Sequence, residues 1–372
     1  MQKTRKALSL FSGAGGLDIG VRQAGFSVTA CVEYDKFAAE TLRFNCERQE
    51  ESTRVFQEDI RKIDVAEFEH QSDVRKGEVD LLFGGPPCQS FSLAGKQLAL
   101  EDERGPLLFE IIRFAKHFEP TVILLEQVKG LLSAKDLAGV KGGVFAKFIT
   151  ELEAIGYVPK WRVMLAADYG VPQMRERLFV VATRGKNGFN FPDPTHTAPV
   201  NCNGLFAATP WKTVGDVLMG IGKPDGKTKG TTFFDRLDSH VDVTPERDRE
   251  RIAKVPEGAY LAAQTDLDKS LVCNLSPKDT TKYLRMNRKH PANTLRCGEI
   301  FFHPTENRYL TPREYMRIHG YPDDYFLKGP IRSRTGTVKN LDQHRQIANS
   351  VPPPLAKILA SSIRKYLDEQ NF

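Results

Sequence analysis

The sequence predicts an α/β protein built on a doubly wound, mostly parallel sheet, with a smaller and loop-rich second domain. Up to about residue 184, short apolar runs typical of strands alternate with segments of helical periodicity, a pattern that favours a parallel sheet covered by helices on both faces. Between residues 185 and 297, glycines, prolines and short polar runs interrupt any long periodicity. A length of 372 residues also exceeds the usual size of a single core.

The elements follow in order along the chain. Apolar runs predict strands at Ala7–Phe11, Val28–Val32, Val79–Phe83, Val122–Leu125, Arg162–Leu165 and Leu178–Thr183, with a further short strand at Arg54–Gln57. Helical spacing predicts two helices that each have one apolar face. The first face is formed by Leu17, Gly20, Val21 and Ala24, and the second by Leu355, Ile358, Leu359 and Ile363. We expect the last helix to pack back onto the first domain, so residues 1–184 and 298–372 form one domain and residues 185–297 the other.

Composition limits the function classes. The six cysteines are scattered without a Cys-x-x-Cys pair, so we predict no metal site and no disulfide framework. No apolar run reaches the roughly 18 residues of a membrane span, and the start is unlike a signal peptide, so a cytoplasmic protein is expected. The net charge of +6 fits a polyanion partner only weakly. The acid-free stretch Lys282–Arg296, with Lys282, Arg285, Arg288, Lys289 and Arg296, is either a solvated surface or a phosphate-contacting face.

A glycine-rich turn after the first strand predicts a ligand site. Glycines let the backbone approach a ligand closely, but after Gly13 and Gly15 the third glycine of a dinucleotide fingerprint is replaced by Asp18, which argues against a dehydrogenase. Glu33 ends the second strand about where such folds place an acid on ribose hydroxyls, and Tyr34 beside it offers a ring that stacks on a purine. Asp59 follows the short third strand, and the adjacent Ile60 would cover an adenine ring.

The segment Gly84–Ser92 predicts a nucleophile. Cys88 follows two prolines directly after an apolar strand, which holds it on a stiff backbone at the active edge of the sheet. A free thiol is only about 3% ionised at pH 7, so a catalytic cysteine here needs local stabilisation of its charge.

Here the sequence resembles the C5-cytosine DNA methyltransferase family, whose Pro-Cys-Gln motif is matched by Pro87-Cys88-Gln89. The further matches occur in the family's order at Phe11–Gly16, Glu33, Asp59, Gly95-Lys96-Gln97 to Arg104-Gly105, Gln173-x-Arg175-x-Arg177, Leu310-Thr-Pro-Arg-Glu314, Gly320-Tyr-Pro-Asp323 and Ala348–Val351. The resemblance implies a Rossmann-like S-adenosylmethionine-dependent methyltransferase domain with a target-recognition domain at residues 185–297.

The resemblance also implies roles for individual residues. Cys88 would attack carbon 6 of a flipped-out cytosine, and Glu126 would bond the ring N3 and the exocyclic amine. The catalytic arginines would be Arg175 and Arg177, which lie on alternate positions and are predicted to point the same way, with Arg177 on the base. The implied cofactor-binding residues are Phe11, Ser12, Gly13, Gly15, Gly16, Leu17, Glu33, Tyr34, Asp59, Ile60, Pro86, Leu107, Asn349 and Ser350. The implied DNA-binding residues are Gln89, Ser92, Arg104, Arg288, Lys289 and Thr294.

One position departs from the family pattern. Glu126-Gln127-Val128 stands where the family usually has Glu-Asn-Val, whose asparagine braces the Pro-Cys loop. Because glutamine is one methylene longer, we expect a less well organised loop, and a gain in turnover for Gln127→Asn.

The implied partners are duplex DNA, S-adenosylmethionine and a cognate restriction endonuclease, with the chain acting as a monomer and without a membrane. Two alternatives stay open: a transfer-RNA cytosine methyltransferase that uses the same motifs, and a non-catalytic relative that kept the fold. An amino-nitrogen methyltransferase is disfavoured because it needs no cysteine at position 88.

Overall fold

The computed structural model describes residues 4–87, 107–185, 188–199, 209–226, 238–264, 267–268, 271, 282–332 and 340–370. The strands are β1 Arg5–Leu10, β2 Phe26–Glu33, β3 Arg54–Gln57, β4 Leu81–Gly84, β5 Val122–Gln127, β6 Val158–Leu165, β7 Gln173–Met174, β8 Glu176–Thr183, β9 His196–Thr197, β10 Thr209–Pro210, β11 Asp225–Gly226, β12 Val241–Asp242 and β13 Ala292–Asn293. The α-helices are α1 Gly16–Gln23, α2 Lys36–Arg48, α3 Val65–Ser72, α4 Leu107–Phe118, α5 Gly143–Ala154, α6 Val214–Leu218, α7 Glu246–Ala253, α8 Pro312–His319, α9 Gln343–Asn349 and α10 Pro353–Glu369.

Contacts divide the chain into two compact units. The first contains the described residues up to Leu165, those of Glu176–Pro194 and those from Val351 onward. The second contains Ala166–Arg175 and the described part of Thr195–Ser350. The sequence placed residues 298–350 with the first domain, whereas their contacts lie within the second unit. Which unit recognises DNA stays a prediction.

The first unit is a seven-stranded sheet in the order β3-β2-β1-β4-β5-β8-β6. Strands β1 to β5 run parallel, and β8 pairs antiparallel with both β5 and β6. The predicted α/β class and doubly wound sheet are therefore confirmed. The strand order reverses between β1 and β4, and open sheets of this kind bind ligands at such a switch point, beyond the carboxyl ends of the strands.

The core of the first unit fills the space between sheet and helices. Leu8, Leu82 and Ile123 from the sheet are at most 1% exposed, and they belong to the same apolar cluster as Phe114 and Phe118 of α4. Apolar strands buried on both faces explain the continuous hydrophobic runs in the sequence.

The last helix packs against α1, as its apolar face predicts. A Cβ added at Gly20 would stand 2.4 Å from the Cβ of Ala356, so only glycine permits this close approach. Leu355, Leu359 and Ile363 of α10 are fully buried.

The second unit contains short strands and short helices. Helix α8 begins with a capping box, in which the Thr311 side chain accepts from the Glu314 backbone and the Glu314 carboxylate accepts from the Thr311 backbone. The Glu314 carboxylate also forms a buried pair with Arg308, at 2.6 and 2.8 Å. None of the helices in the described ranges is long and apolar enough to cross a membrane.

Candidate active site

Strand register brings the ends of four strands together. Leu10 of β1 is level with Val32 of β2 on one side and with Gly84 of β4 on the other, and Gly84 is level with Leu125 of β5. The next residues along each strand are therefore neighbours at the carboxyl edge of the sheet. They are the glycine turn, Glu33, the Pro86 segment and Glu126, which the sequence matched to one site.

The turn after β1 is shaped to receive a ligand. Phe11, Gly13 and Gly15 have positive φ values of 55°, 55° and 78°. The Ser12 backbone N–H donates to the Val32 carbonyl at 3.1 Å, which ties the turn to β2. A Cβ at Gly13 would meet no atom within 4 Å, so open space lies beside this backbone. α1 then starts at Gly16, while Leu17 is 6% exposed and faces the core.

Glu33 joins this turn to the end of β2. Its Oε2 accepts from the Gly13 N–H and its Oε1 from the Asp35 N–H, both at 2.7 Å. The side chain is buried, and burial raises its pKa to about 7, against the opposing effect of these backbone hydrogen bonds. A carboxylate has about four lone-pair sites, so these backbone bonds leave capacity to accept from a hydroxyl group of a ligand. Tyr34, next to it, is 72% exposed and presents an open ring.

Asp59 and Ile60 differ in their surroundings. The Asp59 carboxylate pairs with Arg61 at 2.6 Å and caps the short helix that follows, and these bonds to Arg61 lower the pKa of Asp59. Ile60 is 4% exposed and belongs to the core cluster of the first unit. The carboxylate of Asp59, which the resemblance implies as a cofactor-binding residue, thus already has a partner within the chain.

Asp18, which replaces the third glycine of a dinucleotide fingerprint, lies in the interior of the first unit. It is fully buried on α1, and its Oδ1 accepts from the Cys31 thiol at 3.2 Å. Burial raises the pKa of its carboxyl group.

The segment after β4 carries the predicted nucleophile. A Cβ at Gly84 would stand 2.4 Å from the Leu10 carbonyl oxygen, so this position requires glycine. A Cβ at Gly85 would stand 2.9 Å from Glu126 Oε2 and would push the Glu126 carboxylate aside. Pro86 is buried and Pro87 is exposed. Cys88, Gln89, Ser92 and Arg104 lie outside the described residues.

Gln127 braces the Pro86 segment. Its Nε2 donates to the Pro86 carbonyl at 3.0 Å, and its Oε1 accepts from the Val128 N–H at 2.8 Å. The side chain is 1% exposed. The glutamine amide therefore reaches the Pro86 segment while its oxygen is anchored to the next peptide group, and this contact argues against the expected weaker organisation of the loop. The length difference alone could not reveal this.

Glu126 forms an ion pair with Arg177. The Arg177 Nε lies 2.9 Å from Glu126 Oε1, and both side chains are largely buried. Arg177 also donates to the Glu176 carbonyl at 2.7 Å. These contacts hold a guanidinium and a carboxylate together next to the Pro86 segment, where β5 and β8 pair.

Arg175 has different partners from Arg177. It is 1% exposed, and its Nη2 donates to the carbonyls of Ala348 and Ser350 at 3.0 and 2.9 Å. A guanidinium enclosed in this way holds chain segments together, and the catalytic role implied for Arg175 stays a prediction. Alternation along the strand could not show these contacts, because the partners lie more than 170 residues away.

The remaining predicted members of the cofactor site, Asn349, Ser350 and Leu107, lie at the ends of helices. Asn349 is exposed at the end of α9, whereas Ser350 is buried and its hydroxyl donates to the Ile347 carbonyl at 2.7 Å. Leu107 is the first residue of α4 and is half-buried. The roles of these residues in cofactor binding stay predictions.

The acid-free stretch is not one surface. Arg285 is buried and donates to the carbonyls of Ile252, Val255 and Pro304 at 2.9 to 3.0 Å, so its predicted surface position is wrong. Arg288 and Lys289 are exposed. Thr294 uses its hydroxyl to donate to the Met174 carbonyl at 2.7 Å.

The described residues contain no group of three or more His, Cys, Asp or Glu side chains that would hold a metal ion.

Comparison with known proteins agrees with this site. A family model described as C-5 cytosine-specific DNA methylase matches residues 5–365. A Psychrobacter protein, Type II methyltransferase M.PspPI, is 35% identical over 377 residues, covering 97% of this chain and 79% of that protein. A Neisseria gonorrhoeae protein, Type II methyltransferase M.NgoFVII, is 32% identical over 364 residues, covering 96% and 86%.

A solved structure supports the same fold. It is an Escherichia coli structure described as a DNA modification methyltransferase encoded within a prophage, with a TM-score of 0.70, 22% identity and coverage of 98% of this chain and 100% of that one. The resemblance seen in the sequence is confirmed by the family match and by both relatives. The chain belongs to the C-5 cytosine-specific DNA methylase family and is a DNA cytosine-5 methyltransferase.

Proposed function

We propose that this enzyme methylates carbon 5 of a cytosine within a specific duplex DNA sequence through a covalent bond from Cys88 to carbon 6. The observation that supports it most is the Glu126–Arg177 pair at 2.9 Å, next to the Pro86 segment that leads to Cys88. A glutamate and a guanidinium at the end of a sheet strand offer an acceptor for the amine, a carboxyl proton for N3 and a donor for O2 of one cytosine.

Cys88, Glu126 and Arg177 each carry out one part of the proposed reaction. The Cys88 thiolate forms a bond to carbon 6, and the electron pair of the ring double bond moves toward carbon 5. Glu126 accepts from the exocyclic amine with one oxygen and, carrying a proton on the other, donates to N3, which stabilises the negative charge that the addition places on the ring. Arg177, held by Glu126, bonds O2. After carbon 5 has been methylated and has lost its proton, the bond from the Cys88 sulfur to carbon 6 breaks and the thiolate is restored.

S-adenosylmethionine, when bound, supplies the methyl group. The open space at Gly13, the remaining acceptor capacity of Glu33 and the exposed ring of Tyr34 fit its ribose and adenine. Ser12, Gly15, Gly16, Leu17 and Pro86 complete the proposed site, with Asp59, Ile60, Leu107, Asn349 and Ser350 as its further predicted members.

The DNA side of the proposal rests on the second unit. A base inside a duplex is reached only after it is flipped out, at a cost of a few kcal/mol. We assign target recognition to the described residues of Thr195–Ser350, with exposed Arg288 and Lys289 on phosphates. We further propose that the enzyme is a cytoplasmic monomer. The Type II methyltransferase names of its relatives favour a cognate endonuclease beside it.

One experiment tests both substrate and nucleophile. The purified full chain is incubated with S-adenosylmethionine and either a duplex DNA library or bulk transfer RNA, and bisulfite sequencing locates the product. Methylation is expected on DNA only, and labelling confined to transfer RNA would contradict the proposal.

Two variants isolate the cysteine. Cys88→Ser is expected to abolish both methylation and the covalent adduct with a 5-fluorocytosine duplex. Cys297→Ser is the matched control, because Cys297 is an exposed cysteine with no part in the proposed chemistry, and both readouts should stay intact. Wild-type turnover in Cys88→Ser would overturn the mechanism.

A further inference from the structure

A surface cavity of about 230 Å³ in the second unit has no role in the chemistry described above. Its floor is apolar, formed by Leu284 and Met286, which are 7% and 1% exposed. Its rim carries Tyr260, Asn287 and Asn293. An apolar floor with a few convergent polar groups is the usual composition of a site for a small, flat ligand. We call it the Asn293 cavity.

Asn293 is held in a fixed orientation at the rim. Its backbone belongs to β13, which pairs with β7, and its Nδ2 donates to the Tyr260 hydroxyl oxygen at 3.0 Å. In this arrangement the bond uses one of the two amide hydrogens and anchors the nitrogen end of the amide on Tyr260. The second hydrogen and the carbonyl oxygen then form a donor and an acceptor side by side, which matches N7 and the N6 amine of adenine.

The opposite side of the cavity is kept open by a glycine. Asn287 Oδ1 accepts from the Lys289 N–H at 2.9 Å, which fixes that amide as well. Gly258 has a positive φ of 83°, and an added Cβ would stand 3.3 Å from Asn287 Nδ2. A larger residue at 258 would narrow the cavity.

Positive charge borders the same cavity. Arg288 and Lys289 follow Asn287 in one turn, and both are exposed. The Arg288 Nε lies 3.5 Å from Glu257, whereas Lys289 has no ion-pair partner in the part of the chain that the structure describes. A cavity of the size of a base beside unpaired positive charge fits a polyanion that carries bases.

We propose that the Asn293 cavity receives the edge of one base of the substrate duplex, and that Asn293, oriented by Tyr260, recognises this base as an adenine. This assignment rests on the proposed function and adds to it a residue that determines sequence specificity.

The test compares sequence preferences. The full-length wild type and the variants Asn293→Ala and Tyr260→Phe methylate a randomised duplex library, and the preference at each position is read by bisulfite sequencing. Asn293→Ala is expected to lose roughly 10- to 100-fold of the discrimination for adenine at one position, because a bidentate pair contributes about 1–3 kcal/mol. Tyr260→Phe relaxes the same position to a smaller extent.

Matched controls come from the basic rim. Arg288→Gln and Lys289→Gln remove phosphate contacts, so they weaken binding to all sequences and reduce the slope of log affinity against log salt by about one each. Their sequence preference is expected to equal that of the wild type.

The outcomes separate this inference from the proposed function. An Asn293→Ala enzyme that methylates with the wild-type preference at every position overturns the inference alone, as does relaxation at a position of guanine or cytosine. If Asn293→Ala is inactive, its binding preference, measured by competition among duplexes, decides in the same way. A wild type that methylates no DNA overturns the proposed function instead.

Discussion

Glu33 should make the binding of S-adenosylmethionine depend on pH near neutrality. Burial raises the pKa of its carboxyl group to about 7, and the proposed site uses the ionised form to accept ribose hydroxyls. The apparent dissociation constant equals the intrinsic one divided by the ionised fraction. The apparent dissociation constant of S-adenosylmethionine should therefore be about tenfold higher at pH 6 than the constant value that it reaches above pH 8.

Isothermal titration between pH 5.5 and 8.5 measures this effect. The α-amino group of the cofactor itself titrates near 7.7–8.0 in model compounds, so Glu33→Gln is measured alongside to isolate the contribution of the protein. The variant should bind more weakly and lose the change centred at pH 7. If the dissociation constants of the wild type and Glu33→Gln changed with pH in the same way, the reasoning would be refuted.

The raised pKa of Glu33 also affects the stability of the fold, which should fall as the pH rises whereas cofactor binding becomes tighter. The pKa of Glu33 rises from its ordinary 4.5 to about 7 on folding, so the folded state binds the proton more tightly. The resulting stabilisation is present below pH 4.5 and is lost as the pH rises to 7, by at most about 3 kcal/mol. Urea unfolding of the ligand-free wild type and Glu33→Gln at pH 5 and 8 tests the sign.

Three substitutions test the contacts that build the two units. Gln127→Leu removes the brace on Pro86 and leaves buried polar groups unpaired, so single-turnover methylation should fall tenfold or more while the dissociation constant of S-adenosylmethionine stays unchanged. Glu314→Gln removes the fully buried one of the two carboxylates that pair with Arg308, the other being Glu306, and should lower the free energy of unfolding by about 1.5–3 kcal/mol in urea melts. Gly20→Ala forces α1 away from the last helix and should cost about 1–3 kcal/mol by the same measurement.

Each substitution has a control. Gln127→Asn should not raise turnover, because the glutamine already reaches its acceptor, and a gain would contradict the observed brace. Glu246→Gln breaks an ion pair whose carboxylate is 84% exposed, and should change stability by less than about 0.5 kcal/mol. Gly226→Ala places its Cβ in open space and should be equally mild, so a loss as large as that of Gly20→Ala would argue against the steric explanation.

Local patterns predicted most elements of the first unit. The run Arg54–Gln57 is a strand with the predicted ends, and the predicted strand at Val79–Phe83 is observed at Leu81–Gly84, two residues later at its start. Buried parallel strands are apolar throughout, so their sequence identifies them without knowledge of their neighbours. The second unit could not be predicted in this way, because its strands are only two residues long and have no periodicity.

The order of motifs also predicted several members of the site. Glu33 of β2 and Glu126 of β5 lie at the same edge of the sheet because parallel strands present their carboxyl ends together. The motifs could not distinguish Arg175 from Arg177. One is enclosed by backbone carbonyls and the other pairs with Glu126, and this difference arises from partners distant in the sequence.

The sequence by itself determined the α/β class, the glycine turn, the cysteine after two prolines and the acid at the end of β5, because each depends on residues within a few positions of one another. Only the tertiary structure decided that Gln127 braces Pro86, that Arg285 is interior and that Asn293 meets Tyr260 at the rim of a cavity. These contacts join residues 19 to 41 positions apart. Periodicity records which face of an element is apolar, whereas the partner of a polar group depends on how distant segments pack.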